Sequence, residues 1–315
     1  MIHIAVDAMG GDHAPSAIVD GAVAAAARLD VQISLVGARA AIEPVLERHA
    51  NARQLPIALV DAPEVIDMAE PAATVRRKPG ASIRVAADLV ARRDAAALFS
   101  AGHTGATVVV THSAFGMIAG VDRPALAATI PTRGRPAVLL DAGANVECRP
   151  QHFLQFAIMG GVYAGIALGI ERPRIGLLSI GQEETKGNEL TREAHRLLKA
   201  APINFVGNVE AREIYSGVAD VIVCDGFTGN VVLKTSEGLV EALESRLGDK
   251  LSGVYDYAEY GGAPLLGVAG LAIVGHGRSS AKAVSNGIAM AHRFAAGDFI
   301  QRVEQKIAAA TVSHH

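Results

Sequence analysis

Short apolar runs, most of them closed by Asp, Ser or Gly, recur at residues 2–7, 31–37, 95–100, 137–141, 174–180, 203–206, 220–225 and 271–275. Between them lie stretches with apolar residues at helical spacing, at 16–29, 40–49, 83–92, 104–118, 152–168, 189–199, 229–247 and 280–306. Continuous rather than alternating apolar runs suit strands covered on both faces. Strands alternating with helices imply right-handed βαβ units and a mostly parallel sheet. The pattern therefore predicts an α/β fold, a three-layer α/β/α body on a mostly parallel sheet. No repeat, low-complexity tract or Gly/Ser linker marks a boundary, so residues 1–315 are expected to form a single domain, with room for a projecting subregion in the second half. The expected interruptions are the loop around Cys148–Pro150 and the Gly- and Tyr-rich stretch 252–264.

Composition narrows the class. Half of the residues are hydrophobic, only 4% are aromatic and Trp is absent, so the core must be built from Ala, Val, Ile and Leu. A formal net charge of −3 creates no field that would invite nucleic acid. Cys148 and Cys224 have neither a disulfide framework nor a metal-type spacing and are expected to be small buried hydrophobes. No apolar stretch reaches the ~18 residues of a membrane span, and the chain opens on a strand pattern rather than a signal peptide. With His314 and His315 set aside as a tag remnant, a soluble cytoplasmic protein is expected.

The polar chemistry collects where the predicted strands end, which is where open α/β sheets bind ligands. The first strand is followed by Asp7-Ala8-Met9-Gly10-Gly11-Asp12, and the run 95–100 by Ala101-Gly102-His103-Thr104-Gly105. The later loops are Asp141-Ala142-Gly143-Ala144-Asn145, Gly181 to Asn188 with Lys186-Gly187, Asp225 to Asn230 with Gly229 and Lys234, and Gly275-His276-Gly277. Glycines let backbone N–H groups approach an anion, and each following helix presents its positive N-terminus. Lys186 and Lys234 add full charges for phosphate oxygens. One such loop alone is a turn with a helix cap; their convergence on one edge predicts a phosphate site. Gly-x-Gly-x-x-Gly after the first strand, a Walker sequence and a Gly-x-Ser-x-Gly elbow are all absent. Asp7, Asp12, Asp141 and Asp225 fit turns and caps better than a metal cluster, so neither metal nor cofactor is expected. His103 and His276 are either loop residues with satisfied rings or donors to phosphate or an acyl oxyanion. The basic run Arg76-Arg77-Lys78, with Arg84, is either a solvated loop or a docking patch for an acidic partner.

Taken together the loops resemble the PlsX family, the acyl-carrier-protein:phosphate acyltransferases of bacterial phospholipid synthesis. The resemblance runs from Ile4 to about Ala295 through VDAMGGDHAP at 6–15, SAGHTGA at 100–106, LDAGAN at 140–145, QFAIMGGVY at 155–163, ETKGN at 184–188, FVGNVE at 205–210, DGFTGNVVLK at 225–234 and YGGAPLLG at 260–267. It implies a fold like the isocitrate/isopropylmalate dehydrogenases and phosphotransacetylases, a homodimer, and acyl phosphate handed to a membrane glycerol-3-phosphate acyltransferase. It further implies transfer of a fatty acyl group from acyl carrier protein to inorganic phosphate. In that chemistry Lys186 and the loop amides hold phosphate, with Asn230 and Lys234 nearby, while His103 or Thr104 donates to the thioester oxygen.

Three positions depart from the family pattern. His103 and Ser179 each stand where Asn is usual, and the segment between Gly238 and Tyr260 is short, with Glu241, Glu244 and Asp249 balancing Arg246 and Lys250. Relatives carry a basic amphipathic hairpin there, so membrane contact is expected to be weak, or indirect through the partner acyltransferase. The competing expectations are a phosphotransacetylase-like enzyme using coenzyme A, a nicotinamide-dependent dehydrogenase, and a non-catalytic lipid-synthesis scaffold.

Overall fold

A computed structural model describes residues 1–247 and 257–312. The predicted alternation is present, and the chain divides into two compact units, one of residues 1–116 and 257–298, the other, among the described residues, of 117–247 and 299–312.

In the first unit β1 (Ile2–Asp7) is buried from Ile4 onward, as its uninterrupted apolar stretch requires. It pairs in parallel with β2 (Val31–Gly37) and β4 (Ala97–Ser100), β2 with β3 (Ile57–Asp61), and β4 with β11 (Leu271–Val274). The strand order is β3-β2-β1-β4-β11-β10, and only β10 (Ala263–Leu266) runs antiparallel to its neighbour. Helices α1 (Ser16–Arg28) and α8 (Ala281–Ala296) pack on each other and on β1, while α3 (Ser82–Ala91) and α4 (Thr104–Phe115) form a second pair. Helix α2 (Arg39–Leu46) packs on α1 and β2. Ala-rich α1 favours the helix intrinsically and buries Ile18, Val19, Ala22, Val23, Ala25 and Ala26 along one side.

The second unit has strand order β5-β6-β9-β7-β8. Here β6 (Ala137–Leu140), β9 (Val221–Val223), β7 (Ile175–Ser179) and β8 (Phe205–Glu210) are parallel, while β5 (Ala125–Ile130) runs antiparallel to β6. Helix α5 (Pro150–Leu168) lies on β6 and β9 with α6 (Glu189–Ala200) and α9 (Phe299–Val312) beside it, and α7 (Gly226–Leu247) packs against β6.

The mostly parallel α/β architecture agrees with the sequence pattern, and its elements differ at definite places. Strands β3, β5 and β10 lie outside the predicted runs: β3 is only partly covered and β10 carries Pro264. The predicted strand 203–206 runs instead over Phe205–Glu210, because Gly207 and Asn208 continue an extended segment that looks polar. The single helix predicted over 280–306 is two helices, α8 and α9, broken at Asp298, whose φ of 51° no helix accommodates. The unit boundaries fall at 116/117, between 247 and 257 among the described residues, and at 298/299, and Cys148–Pro150 lies inside the second unit at the start of α5. Residues 252–256 of the 252–264 stretch, residues 248–256 of the shortened 238–260 segment, and His314 and His315 lie outside the described residues.

Candidate active site

The strands β1, β4 and β11 end together, with Asp7 opposite Ser100 and Ser100 opposite Val274. Asp7 and Ser100 are buried, and Ser100 Oγ donates to Asp7 Oδ2 at 2.7 Å. Ser100 Oγ in turn accepts from Gly102 N at 3.2 Å, and Met9 N donates to Asp7 Oδ1 at 3.3 Å. Burial pushes the Asp7 carboxyl up, opposed by hydrogen bonds from Ser82, Ser100 and the Met9 and Gly10 amides. The aspartate thus ties two strand ends and their loops together. A side chain at Gly10 is impossible: its Cβ would lie 2.6 Å from Asp7 Oδ2 and 2.7 Å from Gly102 N. The third loop joins through Asp12 N, which donates to Gly277 O at 2.8 Å, with Gly11 lying against the same carbonyl.

These loops border a small open pocket whose wall includes Asp7, Gly10, Ser82, Ser100, Gly102 and His103. His103 is the N-cap of α4, its Nδ1 accepting from Ala106 N at 3.2 Å. In the neutral ring this places the proton on Nε2, which makes the outer edge of the imidazole a donor. Thr104 is exposed at the first position of the helix, with Gly105 beside the His103 ring. His276 Nδ1 likewise accepts from a backbone amide, that of Arg278, at 3.2 Å.

In the second unit the Asp141 carboxylate, fully buried, gathers the loop that follows β6. Its Oδ1 accepts from Leu126 N, Gly143 N and Ala144 N at 2.9, 3.1 and 2.9 Å, and its Oδ2 from Asn145 N and Nδ2, both at 2.8 Å. Asn145 Nδ2 also donates to Pro124 O at 2.6 Å, so this amide serves the loop itself. Asp225 caps α7, accepting from Thr228 N at 2.8 Å and Thr228 Oγ1 at 2.7 Å. Gly226 N donates to Asn145 O at 2.7 Å, and a Cβ on Gly229 would stand 1.9 Å from Asp141 O, so glycine there lets the helix seat on the loop. Exposed Asn230 lies over Gly143.

The remaining loop follows β7, the strand next to β9 on the same edge. Lys186 is exposed on a turn closed by its own amide, which donates to Glu183 O at 3.0 Å. Asn188 caps α6 by accepting from Thr191 N at 2.9 Å, and Gly187 O accepts from Arg192 Nη1 at 3.0 Å. Arg192 is a second cation at this turn that the sequence reading passed over; its only signal is a place one helical turn past the Asn188 cap. Lys234 stands two turns into α7, its ammonium 2.7 Å from Glu237 Oε2. The buried hydroxyls of Ser179, which ends β7, and Ser279, just before α8, have no hydrogen-bond partner among the described residues. Buried polar atoms are rarely left so, and each hydroxyl stands in one of these loops.

In the basic run, Arg76 and Arg77 are exposed at the end of the short helix Ala72–Arg77 and Arg84 is half-buried. Lys78 turns inward to Glu70, at 2.8 and 3.0 Å, and to Val65 O at 2.9 Å. Neither thiol has the environment of a nucleophile. Burial, then the Asp225 and Asp141 charges, drives the Cys224 thiol well up, and burial with Asp141 pushes Cys148 up to about 11.

The chain matches the profile of a family described as fatty acid synthesis protein over residues 2–254 and 246–302. It is 48% identical to a phosphate acyltransferase of Heliobacterium modesticaldum, covering 97% of this chain and 98% of that one. A phosphate acyltransferase of Syntrophotalea carbinolica is 50% identical over 92% of this chain and 89% of its own. In fold the chain is similar to a phosphotransacetylase from Streptococcus pyogenes, with TM-score 0.67, 17% identity and 94% of each chain covered. It is also similar to a 4-hydroxythreonine-4-phosphate dehydrogenase from Klebsiella pneumoniae, with TM-score 0.53, 15% identity and coverage of 94% and 98%. At these identities the structural likeness speaks for the fold alone, a dehydrogenase-like α/β fold. The likeness to the phosphate acyltransferases, near half identity across almost the whole length, places this chain in the PlsX family.

Proposed function

We propose that this protein is an acyltransferase that moves a long-chain fatty acyl group reversibly from acyl carrier protein to inorganic phosphate, producing acyl phosphate for phospholipid synthesis. The observation that carries this reading is the near-full-length likeness to phosphate acyltransferases. A phosphate oxygen adds to the thioester carbonyl carbon, the C–S bond breaks, and the sulfur leaves as a thiolate that takes a proton from water. Phosphate is already anionic at neutral pH and a thiolate leaves readily, so the protein has little need of a covalent nucleophile. Its task is to orient the reactants and stabilise the oxyanion.

Within the first unit, His103 Nε2–H and Thr104 at the start of α4 are the proposed donors to the acyl oxygen. Within the second, Lys186, the Gly187 and Asn188 amides and Asn230 are the proposed phosphate contacts. Asp7, Asp141, Asn145, Asp225 and Gly229 contribute by shaping the loops, which the bonds described above support. Arg76 and Arg77 are the proposed contacts for the acidic carrier, Lys78 being engaged by Glu70. A homodimer, and delivery of the product to a membrane glycerol-3-phosphate acyltransferase, belong to the same proposal on the strength of the family.

No helix among the described residues is long and apolar enough to cross a membrane. Phe227, Val231, Leu239 and Leu243 are exposed along α7, yet direct membrane contact is proposed to be weak, because Glu241, Glu244 and Asp249 balance Arg246 and Lys250 in the 238–260 segment. Strong sedimentation of the isolated protein with anionic liposomes would refute that. The activity is tested by following phosphate-dependent release of carrier thiol from long-chain acyl carrier protein, with the acyl phosphate identified by mass. Equal turnover of the coenzyme A thioester would point to a phosphotransacetylase instead, and no phosphate-dependent release at all would sink the reading.

A further inference from the structure

Lys186 is exposed on a turn, and behind that turn lies a buried polar pair, His195 and Asn208, with His195 Nε2 also standing 3.7 Å from Glu184 Oε1. His195 on α6 and Asn208 on β8 are 4% and 9% exposed. His195 Nδ1 and Asn208 Oδ1 are 2.9 Å apart, and since the amide oxygen can only accept, the imidazole proton sits on Nδ1. The ring is packed edge to face on Phe205, centroids 5.0 Å apart, which fixes its plane. With Oδ1 held by the histidine, Asn208 Nδ2 faces away and donates to Glu183 O at 2.9 Å. That carbonyl is the same one that accepts from Lys186 N at 3.0 Å.

A relay of directed bonds therefore runs from α6 through β8 to the turn of Lys186. Each member has one orientation open to it. A hydrophobic pair would fill this space without leaving buried hydrogen-bonding groups to satisfy, so the polar pair has a purpose other than volume. We propose that His195 and Asn208 are positioning residues for the phosphate half of the reaction, holding the turn 183–186 so that Lys186 meets inorganic phosphate. This rests on the assignment of Lys186 to phosphate.

The test is steady-state kinetics with phosphate and acyl carrier thioester varied separately, for Asn208→Asp, Lys186→Ala and the double variant. Asn208→Asp is nearly isosteric but sets an acceptor against the Glu183 carbonyl. It is expected to raise KM for phosphate about 10-fold while KM for the thioester stays within about 2-fold. Lys186→Ala alone is expected to lower turnover, and with it kcat/KM for phosphate, by ~10²-fold or more, and adding Asn208→Asp should change that kcat/KM by less than about 2-fold. His195→Gln, which keeps an N–H donor, should recover most of what His195→Ala loses. If Asn208→Asp does not fold, Asn208→Ser, too short to reach Glu183, gives the same readout. An unchanged phosphate KM in a folded Asn208 variant, an equal rise in both KM values, or effects that multiply with Lys186→Ala would each overturn the positioning role alone. A normal rate for Lys186→Ala would overturn the Lys186 assignment, and this proposal with it.

Discussion

His103 stands where the resemblance implies Asn, and the cap geometry suits either residue. Asn caps a helix through Oδ1 and keeps an N–H donor on the same amide. His103 does both jobs with two ring nitrogens, Nδ1 toward Ala106 N and Nε2–H outward. His103→Asn should therefore leave thermal stability and turnover close to wild type, whereas His103→Ala should cost ~1 kcal/mol of stability and most of the activity. Thermal melts beside a turnover assay check both. The thiols invite the opposite expectation. With Cys224 buried and Cys148 raised to about 11, iodoacetamide at pH 8 should label neither in the native protein and both in urea, and Cys224→Ser should remain largely active. A trapped acyl-enzyme in the wild type, lost in Cys224→Ser, would reverse this. The cap role of Asp225 was legible as a residue type at a strand end, but the pairing of Asn208 with Glu183 was not. Those residues are 25 apart in the chain, and no local spacing encodes their meeting.

At the scale of elements, the parallel strands announced themselves because burial on both faces makes them continuously apolar. Strand β3 was hidden since its burial is partial and its pattern correspondingly mixed, and β10 since Pro264 argues against a strand. Neighbouring strands in the second unit are also joined at their beginnings. Arg174, just before β7, donates to Asp220, just before β9, from N, Nε and Nη2 at 2.7, 3.0 and 2.8 Å. Burial alone would raise the Asp220 carboxyl, but the hydrogen bonds and charge of Arg174 outweigh it and hold the group below its usual range. A depressed carboxylate contributes stability that is present above its unfolded value and lost as pH falls through the folded one. Wild type should therefore lose stability more steeply than Asp220→Asn between about pH 4 and pH 2, by roughly 1 kcal/mol given the exposed guanidinium. Urea midpoints measured across that range decide it, and parallel curves would exclude the pair as the cause.

At the scale of the molecule, the chain crosses between its two units more than once, and the crossing near the C-terminus was invisible to periodicity. Helices α8 and α9 share a continuous helical pattern, and only the backbone at Asp298 separates them. Yet α9 belongs to the second unit, where Phe299, Val303 and Ile307 are buried and the helix packs on α5. Ile307→Ala should accordingly destabilise the protein by about 2–5 kcal/mol, a core-sized effect from a position near the end of the chain. A chemical denaturation series would show it, and a change under 0.5 kcal/mol would mean that α9 is dispensable.

The late return of the chain to both units bears on how the protein is made. Strand β11 seats beside β4, so a nascent chain that has emerged only as far as α7 presents β4, with its buried Ala97, Leu98 and Phe99, as an unpaired sheet edge. The second unit waits longer still, for α9. Neither half can close on the ribosome in the order in which its first strands appear, and the half-made polypeptide is a natural client for holding chaperones until translation is almost complete.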